Sequence, residues 1–173
     1  MDEFREEFLT RFRWIDGHAD MLGLLADGPF LRRAVRAVAA PFATQRITKV
    51  AAVEARGFAL GVGVALELDA GFVGIRKSGS IHPGPKARRT TEPDWRGMRN
   101  ELRVQRAALT PNDRVLVVDD WAETGSQAIA AKALIEDCGA AYAGLSLLVD
   151  ELGAGARSSL EPVYTVVTGA DLP

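Results

Sequence analysis

Residues 114–126 have the sequence RVLVVDDWAETGS, in which an apolar run ends in two acids and a short polar turn. The apolar run predicts a strand that is buried on both faces, as in a parallel sheet, and the apolar segment 128–135 predicts a following helix. Ligands of open α/β sheets bind outside the carboxyl ends of the strands, and a helix amino terminus attracts phosphate. The stretch therefore predicts an α/β fold with a phosphate site at the turn 122–127.

The rest of the chain alternates between helix and strand patterns. Apolar spacing predicts helices at 2–12, 29–40 and 57–68 and strands at 49–53, 72–75, 102–105, 142–149 and 162–167, with an irregular segment at 13–28. Strands that alternate with helices indicate βαβ units. We therefore expect a doubly wound parallel sheet with an amino-terminal appendage.

Composition limits the class of protein. The chain has 173 residues, 47% of them apolar and 25% charged, which is typical of one globular domain. A net charge of −2 gives no global attraction to nucleic acid or anionic lipid. The single cysteine, Cys138, cannot form an internal disulfide and predicts a small buried hydrophobe. With no signal-peptide pattern and no apolar run of about 18 residues, we expect a cytoplasmic protein that does not span a membrane.

Three stretches carry a family resemblance. Residues 114–126 resemble the signature of the type I phosphoribosyltransferases. Residues 53–58, VEARGF, resemble the diphosphate-contacting loop of the adenine phosphoribosyltransferase branch, and residues 76–79, RKSG, resemble its basic turn. The motifs follow the family's order. The resemblance implies one domain over 1–173, with an amino-terminal hood at 1–45 and a core at 46–173, and commonly a homodimer.

The resemblance implies a binding site for 5-phosphoribosyl 1-diphosphate (PRPP). Asp119 and Asp120 would contact the ribose hydroxyls, and Mg²⁺ would bridge those hydroxyls and the diphosphate, with the two acids as candidate ligands. Arg56 and Lys77 would neutralise the diphosphate, and Arg76 would do so across a dimer interface. The predicted PRPP contacts are Glu54, Ala55, Arg56, Gly57, Arg76, Lys77, Asp119, Asp120, Ala122, Glu123, Thr124, Gly125, Ser126 and Gln127.

The segment 78–99 is long for a loop of a compact domain, which indicates either a lid or a solvated surface loop. It is rich in proline and glycine. The cations of this region are Lys77, Lys86, Arg88, Arg89, Arg96 and Arg99. In the resembled family a mobile loop closes over the diphosphate, so a flexible lid is the favoured interpretation, with Trp95 as a candidate cap. The stretch 94–99, DWRGMR, lacks the glutamate of that family's lid motif.

Two positions of the phosphate turn depart from the adenine branch. Glu123 replaces a usual alanine, and the hypoxanthine-guanine branch has an acid there, so Glu123 is the candidate general acid/base. Its pKa would need to rise towards neutrality, and the charges of Asp119, Asp120 and phosphate would raise it. The alternative is a solvent-facing glutamate at a helix start. Gln127 replaces a usual threonine and would donate its amide to phosphate instead.

The hood residues 14–20, WIDGHAD, are expected to form the base pocket. Trp14 and Trp121 are candidates to stack on a base, and His18 is a candidate to hydrogen-bond its edge. The alternatives are that Trp14 belongs to the core, that the histidine is structural, and that Asp20 caps a helix at 21–25.

These expectations define a Mg²⁺-dependent phosphoribosyltransferase, a pentosyl-transferring glycosyltransferase, that joins a purine or another nitrogenous base to PRPP and releases diphosphate. The candidate catalytic residues are Asp119, Asp120 and Glu123. One alternative is a PRPP-sensing regulator that binds nucleic acid, against which the pI of 5.7 and the lack of a helix-turn-helix pattern argue. The other is an enzyme of specialised metabolism with an unusual acceptor.

Overall fold

The computed structural model describes residues 2–79, 83–94 and 96–173. The helices are α1 Asp2–Arg11, α2 Met21–Leu25, α3 Gly28–Ala39, α4 Arg56–Glu67, α5 Ser126–Asp137 and α6 Ala154–Leu160. The strands are β1 Trp14–Ile15, β2 His18–Ala19, β3 Lys49–Val53, β4 Gly71–Lys77, β5 Lys86–Thr90, β6 Glu101–Gln105, β7 Arg114–Ala122, β8 Ala141–Asp150 and β9 Val163–Thr168. None of the helices in these ranges combines the length and the apolar character that crossing a membrane requires.

Within the described residues, seven strands form one sheet in the order β5-β6-β4-β3-β7-β8-β9. Strands β4, β3, β7, β8 and β9 are mutually parallel, whereas β6 is antiparallel to both β4 and β5. The predicted α/β fold class is confirmed. The antiparallel edge was not predicted, and it suits β6 because only its alternate residues Leu102 and Val104 are fully buried.

Helices cover both faces of the sheet. On one face α1, α3 and α4 pack around Phe8, Phe30 and Leu60, and on the other α5 and α6 pack around Leu134 and Leu160. The central strand β7 has side chains in both clusters, with Leu116 and Val118 on the first and Val115 and Val117 on the second. The double winding therefore follows from a strand that is apolar on both faces.

Two predicted irregular regions contain regular structure. In the segment 13–28, β1 and β2 pair as a hairpin and α2 follows, so the expectation of an irregular segment is wrong there. The capping alternative for Asp20 is confirmed, because its carboxylate accepts a hydrogen bond from the Gly23 N–H at 2.9 Å. In the segment 78–99, β5 forms an ordered edge strand, so an uninterrupted loop is wrong as well.

The cations of the lid segment do not act as one group. Lys77 and Arg96 line the main cavity of the structure. Arg89 instead lies on β5 and forms two 2.6 Å hydrogen bonds with the carboxylate of Asp137 on α5. Arg89 is therefore a structural residue of the sheet edge, because the pairing of β5 with β6 places it against a helix.

Candidate active site

A cavity of about 690 Å³ lies where strands β3, β4, β7 and β8 end. Its lining contains nearly all of the predicted site residues. These are Trp14, His18, Glu54, Ala55, Arg56, Gly57, Lys77, Asp119, Asp120, Trp121, Ala122, Glu123, Thr124, Gly125, Ser126 and Gln127. Arg76 is absent from the lining. The parallel topology explains the cluster, because the carboxyl ends of neighbouring parallel strands meet at one edge.

The acid pair belongs to the end of β7, not to a turn beyond it. Asp120 is buried, with Oδ2 lying 2.8 Å from Arg56 Nε in an ion pair whose geometry falls short of a hydrogen bond. Asp119 is half-buried, and its Oδ1 accepts a hydrogen bond from the Asp120 N–H at 2.9 Å. Burial, and then the charge of Asp120, raise the pKa of Asp119 well above its usual range. Burial also raises the pKa of Asp120, and Arg56 opposes that rise.

The amino terminus of α4 closely approaches the acid pair. A Cβ atom at Gly57 would lie 2.9 Å from Asp119 Oδ1, so this approach requires glycine. Helix α4 begins at Arg56, and the first N–H groups of a helix have no intrahelical partner. The cavity at this point therefore offers backbone donors and a guanidinium beside two carboxylates.

Glu54 links two strand ends. The Glu54–Ala55 peptide bond is cis, and the Glu54 carboxylate accepts hydrogen bonds from the Lys77 N–H at 2.7 Å and from Arg76 Nε at 3.0 Å. These bonds join the loop after β3 to the end of β4. They also explain the position of Arg76, whose predicted contact with diphosphate across a dimer interface stays a prediction.

The polar turn between β7 and α5 has a geometry suited to an anion. Gly125 has φ of 74°, and a Cβ atom there would lie 2.8 Å from Leu152 Cδ2. The Thr124 hydroxyl accepts a hydrogen bond from the Ser126 N–H at 3.3 Å and donates one to Ser126 Oγ at 3.1 Å. Helix α5 begins at Ser126 beside the cavity, so its amino terminus can hold a phosphate.

Glu123 is a half-buried carboxylic acid at the same turn. Burial raises the pKa of Glu123, and the negative charges of Glu151 and Asp94 raise it further, while Arg56 and Arg96 lower it. A raised pKa agrees with the sequence-based expectation. The expected part of the acid pair of β7 is wrong, because the carboxylates that raise this pKa are Glu151 and Asp94, and the contribution expected from a bound phosphate stays a prediction.

Two aromatic side chains, Trp14 and Trp121, also line the cavity. The rings of Trp14 and Trp121 lie 6.0 Å apart at 67°, and Phe12 lies 5.3 Å from Trp14. Trp14 is 48% exposed, so it belongs to a surface cluster at the edge of the core. His18 is exposed on β2 and lines the same cavity. These positions permit the predicted stacking and hydrogen bonding to a base.

Two charged residues of the cavity lining, Asp94 and Glu151, were given no role by the sequence, whereas Arg96 lines the cavity as one of the expected lid cations. Asp94 accepts hydrogen bonds from the Arg96 and Met98 N–H groups, each at 2.9 Å, and so holds a tight turn. Glu151 follows β8 directly, and the strand-end rule that identified Asp119 would have found it had the end of β8 been placed correctly. The cap predicted for Trp95 falls on a residue outside the described part of the chain.

Comparison with known proteins agrees with this geometry. Residues 25–170 match the family model of the phosphoribosyl transferase domain, and the chain belongs to that family. Among its relatives is an adenine phosphoribosyltransferase of Methylobacterium nodulans, 40% identical over 152 residues that cover 86% of this chain and 82% of the relative. The crystal structure of adenine phosphoribosyltransferase from Rhodothermus marinus superimposes with a TM-score of 0.85 at 32% identity, covering 97% of this chain and 99% of the other.

Proposed function

We propose that this protein transfers 5-phosphoribose from PRPP to a ring nitrogen of a purine base and releases diphosphate. The observation that supports this proposal is that three features line one cavity: the acid pair of β7, the anion turn before α5 and the amino terminus of α4. Relatives at 37% to 40% identity are named adenine phosphoribosyltransferases, which supports adenine as the first base to test.

The cavity accommodates PRPP in one orientation. The 5-phosphate would lie at the amino terminus of α5, where Thr124 and Ser126 shape the turn. The ribose hydroxyls would donate to the carboxylates of Asp119 and Asp120. The diphosphate would then extend towards Arg56 and Lys77, whose charges stabilise the leaving group.

Magnesium is part of the proposal. The described residues contain no group of three or more His, Cys, Asp or Glu side chains arranged around one metal position. Mg²⁺ often binds through one or two carboxylates together with substrate oxygens and water, so the donor set fits this ion when PRPP is present. Asp119 and Asp120 would hold it, and the bound ion would supply positive charge to the diphosphate.

Glu123 is the proposed proton acceptor. As the bond from ribose C1′ to diphosphate breaks and the bond from C1′ to the purine nitrogen forms, the base must lose a proton. The ionised carboxylate of Glu123 would take it. Burial and the neighbouring carboxylates that raise the pKa of Glu123 also make it a stronger base, which favours this role.

The segment 78–99 is proposed to act as a lid. Asp94 and Arg96 belong to this segment and line the cavity, which supports a role at the site. Closure would exclude water that could otherwise attack ribose C1′. We include in the proposal a role in purine salvage, a cytoplasmic homodimer, and one domain in which the hood at 1–45 and the core at 46–173 act together.

The first test is diphosphate release from PRPP and Mg²⁺ with adenine, guanine, hypoxanthine, xanthine, uracil or no base. Release that depends on a purine supports the transferase. Binding of PRPP without release for any base contradicts it and favours a PRPP-sensing regulator. Release only with another nitrogenous acceptor would favour the specialised enzyme.

A further inference from the structure

Glu151 is a cavity carboxylate that the family motifs do not include. It immediately follows β8, and its backbone N–H donates to the carbonyl of Ala122 at 2.8 Å, which holds it beside the end of β7. Its Oε2 accepts a hydrogen bond from the indole N–H of Trp121 at 2.9 Å. The carboxylate is therefore positioned within the cavity by an aromatic residue that also lines it.

The chain packs against Glu151 from a second side. Gly169 begins a short 3₁₀ helix, Gly169–Asp171, and a Cβ atom at this glycine would collide with Cγ, Cδ and Oε1 of Glu151. Trp121 and Gly169 thus both restrict the Glu151 side chain. Trp14 lines the same cavity and donates its indole N–H to the carbonyl of Pro173 at 3.0 Å.

We propose that Glu151 determines base specificity by accepting a hydrogen bond from the exocyclic amino group of a purine. The inference rests on the proposed transfer to a purine and adds the chemical feature that is recognised. Trp14 or Trp121 provides the flat apolar surface on which the ring lies, since the 67° between their planes allows a planar base to stack on only one of them, and Glu151 provides the polar contact at the edge of the base.

The chemistry of the carboxylate explains the selectivity. An ionised carboxylate only accepts hydrogen bonds, and it has about four acceptor positions, of which the Trp121 N–H uses one. An amino group of adenine or guanine can fill another. Hypoxanthine has a carbonyl oxygen where adenine has its amino group, and two acceptors repel. A site that requires a donor rejects an analogue without one more strongly than an apolar pocket rejects a change of size.

The decisive substitution is Glu151→Gln. Glutamine has the same shape and keeps an oxygen for the Trp121 N–H, but its NH₂ group can donate to a carbonyl. We expect the preference for an amino-bearing purine over hypoxanthine, measured as a ratio of kcat/KM values, to fall about tenfold or more. A change in the adenine-to-hypoxanthine ratio assigns the contact to the 6-amino group, and a change in the guanine-to-hypoxanthine ratio assigns it to the 2-amino group.

Two further variants separate recognition from structure. Gly169→Ala should displace the Glu151 side chain without removing it, and should shift the same ratio in the same direction. Gly155→Ala is its matched control, because a Cβ atom there meets nothing within 4 Å. Glu67→Gln is the control for loss of one charge, since Glu67 is exposed on α4 and pairs with Arg36 away from the cavity.

The outcomes separate this inference from the proposed function. If the wild-type protein fails to release diphosphate with every base tested, the transferase is contradicted. Calorimetric binding of AMP, GMP and IMP then tests the role of Glu151 without turnover. Loss of selectivity among these nucleotides or bases in Glu151→Gln supports the inference. Unchanged ratios, or an equal loss for every base, overturn it and leave Glu151 as a structural residue.

Discussion

The two ends of the cavity are constructed differently. The proposed phosphoribosyl end consists of short contiguous stretches at the ends of neighbouring parallel strands: 53–57 from the end of β3 into α4, 119–120 in β7 and 123–127 from the turn after β7 into α5. The proposed base end combines the β1–β2 hairpin, Trp121, Glu151 and the stretch 169–173, which are distant in sequence. The residues of the first end can be recognised in local strand and turn sequences, whereas those of the second come together only when the chain has folded.

The two ends also differ in electrostatics. At the phosphoribosyl end, burial of the Asp119–Asp120 pair raises the pKa of both carboxyl groups, and Arg56 compensates only in part. At the base end Glu151 is exposed to solvent. A buried like-charged pair costs stability, so its presence in the fold agrees with a functional role. Substitutions at the first end should therefore change both stability and activity, and those at the second end mainly selectivity.

The largest expected effect is that of Glu123→Ala at the anion turn. If Glu123 removes the proton from the base, its loss should lower kcat about 10²- to 10⁴-fold and leave PRPP affinity nearly unchanged. Single-turnover kinetics and calorimetry with PRPP measure the two quantities separately. Wild-type kcat in this variant would contradict the proton-transfer role, and an equal loss in binding would indicate that Glu123 positions PRPP instead.

Asp119→Asn should change activity and stability in opposite directions. Loss of a charged acceptor for the ribose hydroxyls should weaken PRPP binding about 10- to 100-fold. A carboxyl whose pKa is raised on folding binds its proton more tightly in the folded state, so stability falls as pH rises from the unfolded towards the folded pKa. Ionisation of this carboxyl group is therefore destabilising in the folded protein. Asparagine should therefore raise the free energy of unfolding by about 1–2 kcal/mol, measured by denaturant titration.

Gly125→Ala tests the geometry of the anion turn. Alanine would be strained at φ of 74°, and its Cβ would lie 2.8 Å from Leu152 Cδ2. We expect the free energy of unfolding to fall by about 1–3 kcal/mol. Gly28→Ala is the control, because a Cβ atom at Gly28 meets nothing within 4 Å. Equal stabilities of the two variants would show that the turn tolerates a side chain.

The pH dependence of turnover connects the two ends. A general base must be ionised, so kcat/KM should fall as pH falls through the raised pKa of Glu123. The charge of Glu151 contributes to that raised pKa, so Glu151→Gln should move the acidic limb to lower pH. Glu67→Gln should leave the limb in place. If the acidic limb of the pH profile does not move in Glu151→Gln, the charge of Glu151 does not influence the pKa of Glu123.

Trp14→Phe should have the smallest effect. Phenylalanine keeps an aromatic ring for stacking but loses the exposed N–H donated to the Pro173 carbonyl. We expect the KM for the base to rise less than about threefold, because an exposed hydrogen bond contributes little net free energy. A much larger rise, measured in steady-state kinetics, would make this hydrogen bond an essential part of the base end.

Strand and helix positions were predictable where periodicity and burial agree. The expected strand at 49–53 matches β3, and the expected helices correspond to α1, α3 and α4 within a few residues. The strand β5, with sequence KARRT, lacks a clear apolar alternation and depends on backbone pairing with β6. Helix α6 and the β1–β2 hairpin were missed for the same reason, since long-range packing rather than local pattern stabilises them.

The sequence by itself determined the α/β class and the family and predicted the residues of the proposed phosphoribosyl end, because a buried strand with acids at its end and a glycine-containing turn before a helix are local patterns. The tertiary structure decided which carboxylates surround Glu123, that Arg89 contacts Asp137, and that Trp121 and Gly169 hold Glu151 at the base end. These relations join residues between about 20 and 50 positions apart, and only the pairing of strands and the packing of helices brings such residues into contact.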